Sequence, residues 1–164
     1  MNNQQYTKDN MMSTYDTDYG IWLAEQINHL KSHEWEQLDV DNLIDELEAL
    51  SKSDKRELYS YLVVLLAHLL KWQYQPQNRS GSWEASISNS RNRIARLFKD
   101  RPSLMPYINE ILAETYSEAV AWASAETKIG KQFFPLECSY NLEQILDVDF
   151  FPVPPMAEDS DRKD

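Results

Sequence analysis

The stretch that decides the fold is Leu58-Tyr-Ser-Tyr-Leu-Val-Val-Leu-Leu-Ala-His-Leu-Leu-Lys-Trp72. Leu58, Tyr61, Leu62, Leu65, Leu66, Leu69 and Trp72 recur at three- and four-residue spacing, the period of an α-helix. From Leu62 to Leu70 the pattern is apolar nearly all round, which predicts a helix enclosed by others. The expected span is 54–75, opened by Ser53 as N-cap and closed by Pro76.

Working outward, similar patterns predict flanking helices. Toward the N-terminus, Thr17 or Asp18 can cap a helix whose apolar face is Tyr19, Trp22, Leu23, Ile27 and Leu30, ending near His33. A second helix begins after Leu38 with Val40, Leu43, Ile44, Leu47 and Leu50, and Ser51-Lys-Ser-Asp54 interrupts it. Toward the C-terminus, Ser80 or Ser82 starts a helix over 83–99 with Ile87, Ile94, Leu97 and Phe98 inside. Ser103 caps a fifth helix whose stripe includes Leu104, Ile108, Ile111, Thr115, Ala119, Trp122 and Ala123, and Gly130 lies just beyond its end. A short turn of helix is expected over 141–146.

These readings define an all-α, irregular helical bundle of five main helices plus a short C-terminal one. Residues 15–151 are expected to form a single helical domain. Residues 1–14 and the acidic, proline-rich tail 152–164 are expected to be disordered.

Charge narrows the function classes. The chain of 164 residues carries a net charge of −11, which argues against general nucleic-acid binding. Residues 55–101 are basic, with 9 Lys and Arg against 3 Asp and Glu, and both flanks are acidic. No apolar run approaches the ~20 residues of a membrane span, and no signal peptide is evident, so a cytoplasmic location is expected. Cys138, the one cysteine, excludes an intrachain disulfide framework.

No phosphate loop, H-E-x-x-H motif or nucleophile elbow occurs. Candidates are instead polar residues in apolar company. His68 is either a core histidine bonded to a carbonyl or carboxylate, or a ligand or base. Glu126, on an apolar stripe, calls for a cationic partner from the basic middle third. Glu46 is a less constrained carboxylate. A metal-binding or hydrolytic enzyme would bring His68 together with Glu126 or Glu46. His29 and His33, four apart and joined by Glu25, have metal-ligand spacing but lack a further ligand nearby in sequence.

The block Lys71–Trp83 combines cations, aromatics and a hydroxyl-rich turn. Lys71, Arg79 and Arg91 with Ser80 and Ser82 can hold a small anion at a helix start. Trp72, Tyr74 and Trp83 can stack on planar groups, which leaves local nucleic-acid binding as a lesser alternative. The plain structural reading is a capped turn with buried tryptophans and paired arginines. A non-enzymatic interaction or regulatory module, binding a protein or small anion through residues 71–91, accounts best for these features.

The strings L-L-A-H-L-L-K-W-Q-Y-Q-P (Leu65–Pro76), R-S-G-S-W (Arg79–Trp83), F-P-L-E-C-S-Y (Phe134–Tyr140) and Q-I-L-D-V-D-F-F-P (Gln144–Pro152) resemble the family catalogued as domain of unknown function 29. The similarity extends to Y-D-T-D-Y (Tyr15–Tyr19), Trp22, and Asp41-Asn42-Leu43 through Glu46. The resemblance implies a helical protein of a bacterial, chiefly cyanobacterial family. That family has no assigned activity, so no catalytic residues or cofactors transfer from it.

Overall fold

The structure, a computed structural model, describes residues 13–155. The expected disorder of 1–12 and 156–164 lies outside the described residues. All regular structure among the described residues is helical: α1 (Thr14–Thr17), α2 (Tyr19–Ser32), α3 (Val40–Tyr74), α4 (Gly81–Asp100), α5 (Tyr107–Thr127) and α6 (Leu142–Leu146), with a single 3-10 turn at each junction from α2 onward and Asp18 alone between α1 and α2. The described residues divide into two compact units, 13–51 and 52–155.

The anticipated second and third helices are one. Helix α3 runs 35 residues without a break, so four long helices, not five, occur among the described residues. Ser51-Lys-Ser-Asp54 holds neither glycine nor proline. Serine and aspartate cost a helix interior only about 0.5 kcal/mol each, too little to end it. Ser53 is therefore an interior residue, not a cap.

The second unit holds the core. Leu58, Leu62, Leu65, Leu66, Leu69 and Leu70 of α3 are fully buried. Against them pack Ile87 and Ile94 of α4, Ile108 and Ala119 of α5, and Ile145 of α6, all likewise buried. The inner positions expected of α4 are all inside. Asn141 and Gln144 close a capping box that starts α6, each side chain bonding the other's backbone N–H.

Two helix boundaries of this unit differ from expectation. Helix α5 begins at Tyr107 after Pro106, and Ser103 lies in the preceding 3-10 turn, because Pro102 and Pro106 fix the approach. Its end comes at Lys128, which takes the left-handed conformation (φ 63°), while Gly130 is extended. The Thr127 hydroxyl donates to the Ala123 carbonyl and accepts from the Ile129 N–H, which stops the helix early. Trp122, expected inside, is 37% exposed. Pro152, expected in a disordered tail, is buried.

The first unit has a much smaller core. Asp18 caps α2 by accepting from the Ile21 N–H, as expected. Only Trp22 and Gln26 of α2 are buried. Trp22 Nε1 donates to Asp39 Oδ2 at 3.0 Å, and the Asp39 N–H donates to Gln26 Oε1 at 2.8 Å. The hydroxyls of Tyr15 and Tyr19 both donate to Glu46, at 2.8 and 3.0 Å. Tyr15 lies edge-on to Trp22, 4.8 Å between ring centroids. These bonds run α2 antiparallel to the start of α3. The rest of the expected α2 face stays at the surface: Tyr19, Leu23, Ile27 and Leu30 are 38–47% exposed.

Candidate functional site

In the second unit, successive turns of α3 place His68 and Lys71 beside α5 and the start of α4. Lys71 is buried and its ammonium bonds Glu126 Oε2. The other oxygen, Oε1, accepts from Trp122 Nε1 at 2.6 Å. The Lys71 ammonium also lies 4.5 Å from the centre of the Trp83 ring, a cation–π contact. The Lys71 bond, supported by that of Trp122, holds the Glu126 carboxyl below its usual range. Glu126 is thus ionised and its cation does come from the basic middle third, but its side chain is 45% exposed, so the buried charge that requires the pairing is Lys71, not the carboxylate.

His68 Nδ1 bonds the Val64 carbonyl at 2.8 Å, one helical turn back, so Nδ1 carries the proton. The ring meets Trp122 edge-on at 6.0 Å. Burial pushes the imidazole below its ordinary 6.5, against the opposing effect of the Val64 bond. The folded state thus holds His68 neutral. Below pH 6.5 the unfolded chain takes up a proton that the folded chain refuses, so stability falls as pH drops from there. The urea midpoint should decline between pH 7 and 5.5, and His68→Gln should flatten that decline. An unchanged slope in the variant would refute the assignment.

The remaining cations of the expected anion site are occupied separately. Arg79 Nε donates to the Trp72 carbonyl at 3.0 Å, with its guanidinium 4.9 Å over the Trp72 ring. The Ser80 and Ser82 hydroxyls bond one another at 2.9 Å, and Ser80 makes no side-chain cap to α4. Arg91, only 2% exposed, points to the C-terminal segment. Its guanidinium donates to the carbonyls of Ile145 (2.9 Å) and Phe150 (2.8 Å), with longer bonds to Gln144 and Val148 at 3.4 Å. Burial lowers its affinity for the proton, opposed by the field of Asp147 and Asp149. The structure therefore unites His68, Lys71, Trp83 and Glu126, and assigns Arg79 and Arg91 to other tasks.

Glu46 serves the two tyrosines of the first unit. His29 and His33 do not act as a pair. His33 leaves the helix in the left-handed conformation (φ 59°) and stacks edge-on with Trp35, while His29 bonds Glu34 at 2.8 Å. These residues line a surface cavity of about 590 Å³. No group of three or more His, Cys, Asp and Glu side chains positioned to hold a metal ion occurs among the described residues.

Sequence reasoning missed the surface of the first unit. Beside the exposed stripe of α2, Val40, Ile44, Leu47 and Leu50 on α3 are 50–66% exposed. The periodicity that marked them as a buried face was the available signal. It identifies an apolar face but not what covers it.

A helical protein with an internally satisfied polar cluster and a bare apolar hairpin is what these observations define. The chain belongs to the family described as Domain of unknown function DUF29, whose model matches residues 14–151. The quoted strings now have physical roles: Y-D-T-D-Y and Trp22 build the Glu46–Asp39 network, and Q-I-L-D-V-D-F-F-P is the segment Arg91 grips. No curated protein and no solved structure matches the chain. No helix among the described residues is long and apolar enough to cross a membrane.

Proposed function

We propose that this chain is a non-enzymatic interaction module that closes the apolar face of its first unit against another polypeptide. The observation that carries the reading is the exposure of two leucine- and isoleucine-rich stripes on α2 and α3, one on each helix of an antiparallel pair. Contiguous apolar surface of this extent marks interaction sites on proteins. The small-anion reading has less support, because Lys71, Arg79 and Arg91 already have internal partners. The catalytic reading has less as well, since Lys71 and Trp122 engage both oxygens of Glu126.

A photo-crosslinking residue at Leu47 in the full chain, expressed in its own host, should give a discrete adduct. The same residue at Asn89, exposed on α4, should give none. Adding Leu23→Glu should abolish the Leu47 adduct. Absence of any adduct from Leu47, or one indifferent to Leu23→Glu, would refute the proposal.

A further inference from the structure

On α2 the side chains turned toward α3 are Trp22 and Gln26, and the exposed stripe is Leu23, Ile27 and Leu30 with Tyr19 at its edge, whose hydroxyl still reaches Glu46. On α3 the seam is Asp39, Asn42 and Glu46, and the stripe is Val40, Ile44, Leu47 and Leu50. At the helical angle per residue, each stripe lies about a quarter-turn from its seam, in the same rotational sense. For two antiparallel helices, equal rotation in the same sense opens both stripes on one side. Tyr19 is level with Glu46 and Gln26 with Asp39, so the two stripes flank one another over about 9 Å and run past each other at either end, a staggered two-helix apolar face on which a third helix can lie.

The exposed fractions of these eight side chains amount to on the order of 700 Å², near the roughly 800 Å² that each partner buries in a specific interface.

Charge selects the occupant. Residues 13–51 contain ten Asp and Glu, and Lys31 is their one Lys or Arg, giving −9. Asp41, Asp45 and Glu48 follow at four- and three-residue spacing along the outer edge of the α3 stripe, all exposed. Asp41 lies in the first turn of α3, and the charge of Asp45 also bears on the Tyr15 hydroxyl. A second copy of the chain would bring a further −9 to the same face. A helix with an apolar stripe bordered by Lys and Arg would satisfy both the face and its rim.

We infer that the occupant is a basic amphipathic helix of a partner protein, seated between the α2 and α3 stripes. The inference rests on the reading of this face as an interaction surface.

The test uses the full chain and a labelled 18-residue peptide with leucines at helical spacing and lysines between them. A second peptide carries glutamates in place of the lysines. Saturable one-to-one binding of the basic peptide is expected at 0.15 M salt, and none of the acidic one. Leu47→Glu should weaken binding at least tenfold. The double variant Asp41→Lys/Asp45→Lys should weaken it about tenfold and flatten its salt dependence. All three positions are exposed, and the one expected cost, a lysine in the first turn of α3, should lower the unfolding midpoint only slightly and leave each variant folded.

Equal binding by parent and Leu47→Glu would mean adsorption by charge alone and would overturn the inference. Failure of the basic peptide to bind, with a micromolar dimer in sedimentation that Leu47→Glu dissociates, would identify a second copy as the occupant. That result overturns the inference and leaves the interaction module standing. Failure of the peptide with neither a dimer nor a Leu47 crosslink overturns both.

Discussion

Replacing Arg91 with alanine should destabilise the chain by about 3–5 kcal/mol, the cost of removing a buried charged donor that several groups depend on. The guanidinium is the hub for residues 144–150. Its two short bonds, to Ile145 and Phe150, bracket the segment, and the Phe151 ring lies 5.6 Å from its centre. Without the hub, four carbonyls lose their donor, two of them at good distance, and a side-chain-sized cavity opens next to Ile94 and Ile145. Arg91→Lys keeps the charge but lacks the planar fork that reaches separate carbonyls, so it should recover less than half of the loss. The urea midpoint measures the effect, and amide exchange locates it. Exchange should accelerate first over residues 142–151. A midpoint within 0.5 kcal/mol of the parent for Arg91→Ala would show that the clamp carries no stability.

The second large effect is Trp22→Ala. Trp22 is 2% exposed and is the one buried apolar side chain of the described first unit. Truncation costs about 3–5 kcal/mol and also leaves Asp39 without its indole donor. Asp39 sits below its usual carboxyl range chiefly through the Asn42 side-chain bond, with Trp22 adding to it. A small helical pair has little stability of its own to lose. Trp22→Ala should therefore abolish exchange protection in α2 and the first turns of α3, while Leu62–Leu70 stay protected. Trp22→Phe, which keeps a ring but not the N–H, should retain partial protection. Loss of protection throughout both units would show that they unfold together.

Much of the second unit was legible. The α3 core residues Leu58 through Leu69, the inner face of α4 and the α6 turn follow from period and capping chemistry, which act within a few residues. The pairing of Glu126 with a basic-block cation was also anticipated, but for the wrong reason: Glu126 is exposed, and it is the buried Lys71 that requires a counter-charge. Which cation was not legible. Lys71 and Arg91 look alike in sequence, yet one meets Glu126 and the other meets the carbonyls of a segment 54 to 59 residues onward. The choice depends on how α3 packs on α5 and α4 on α6, and no local pattern encodes that.

The fusion of the second and third expected helices shows a different limit. Ser51 and Ser53 favour caps intrinsically, but a cap forms only where the chain turns away. The sequence by itself determined that the chain is helical, which positions are apolar, and that the first unit is acidic, since each is a property of neighbouring residues. Only the tertiary structure decided which apolar faces are covered. The α4 and α5 helices bury the C-terminal stripe of α3, and Val40 through Leu50 remain at the surface, because burial depends on a partner surface arriving from elsewhere.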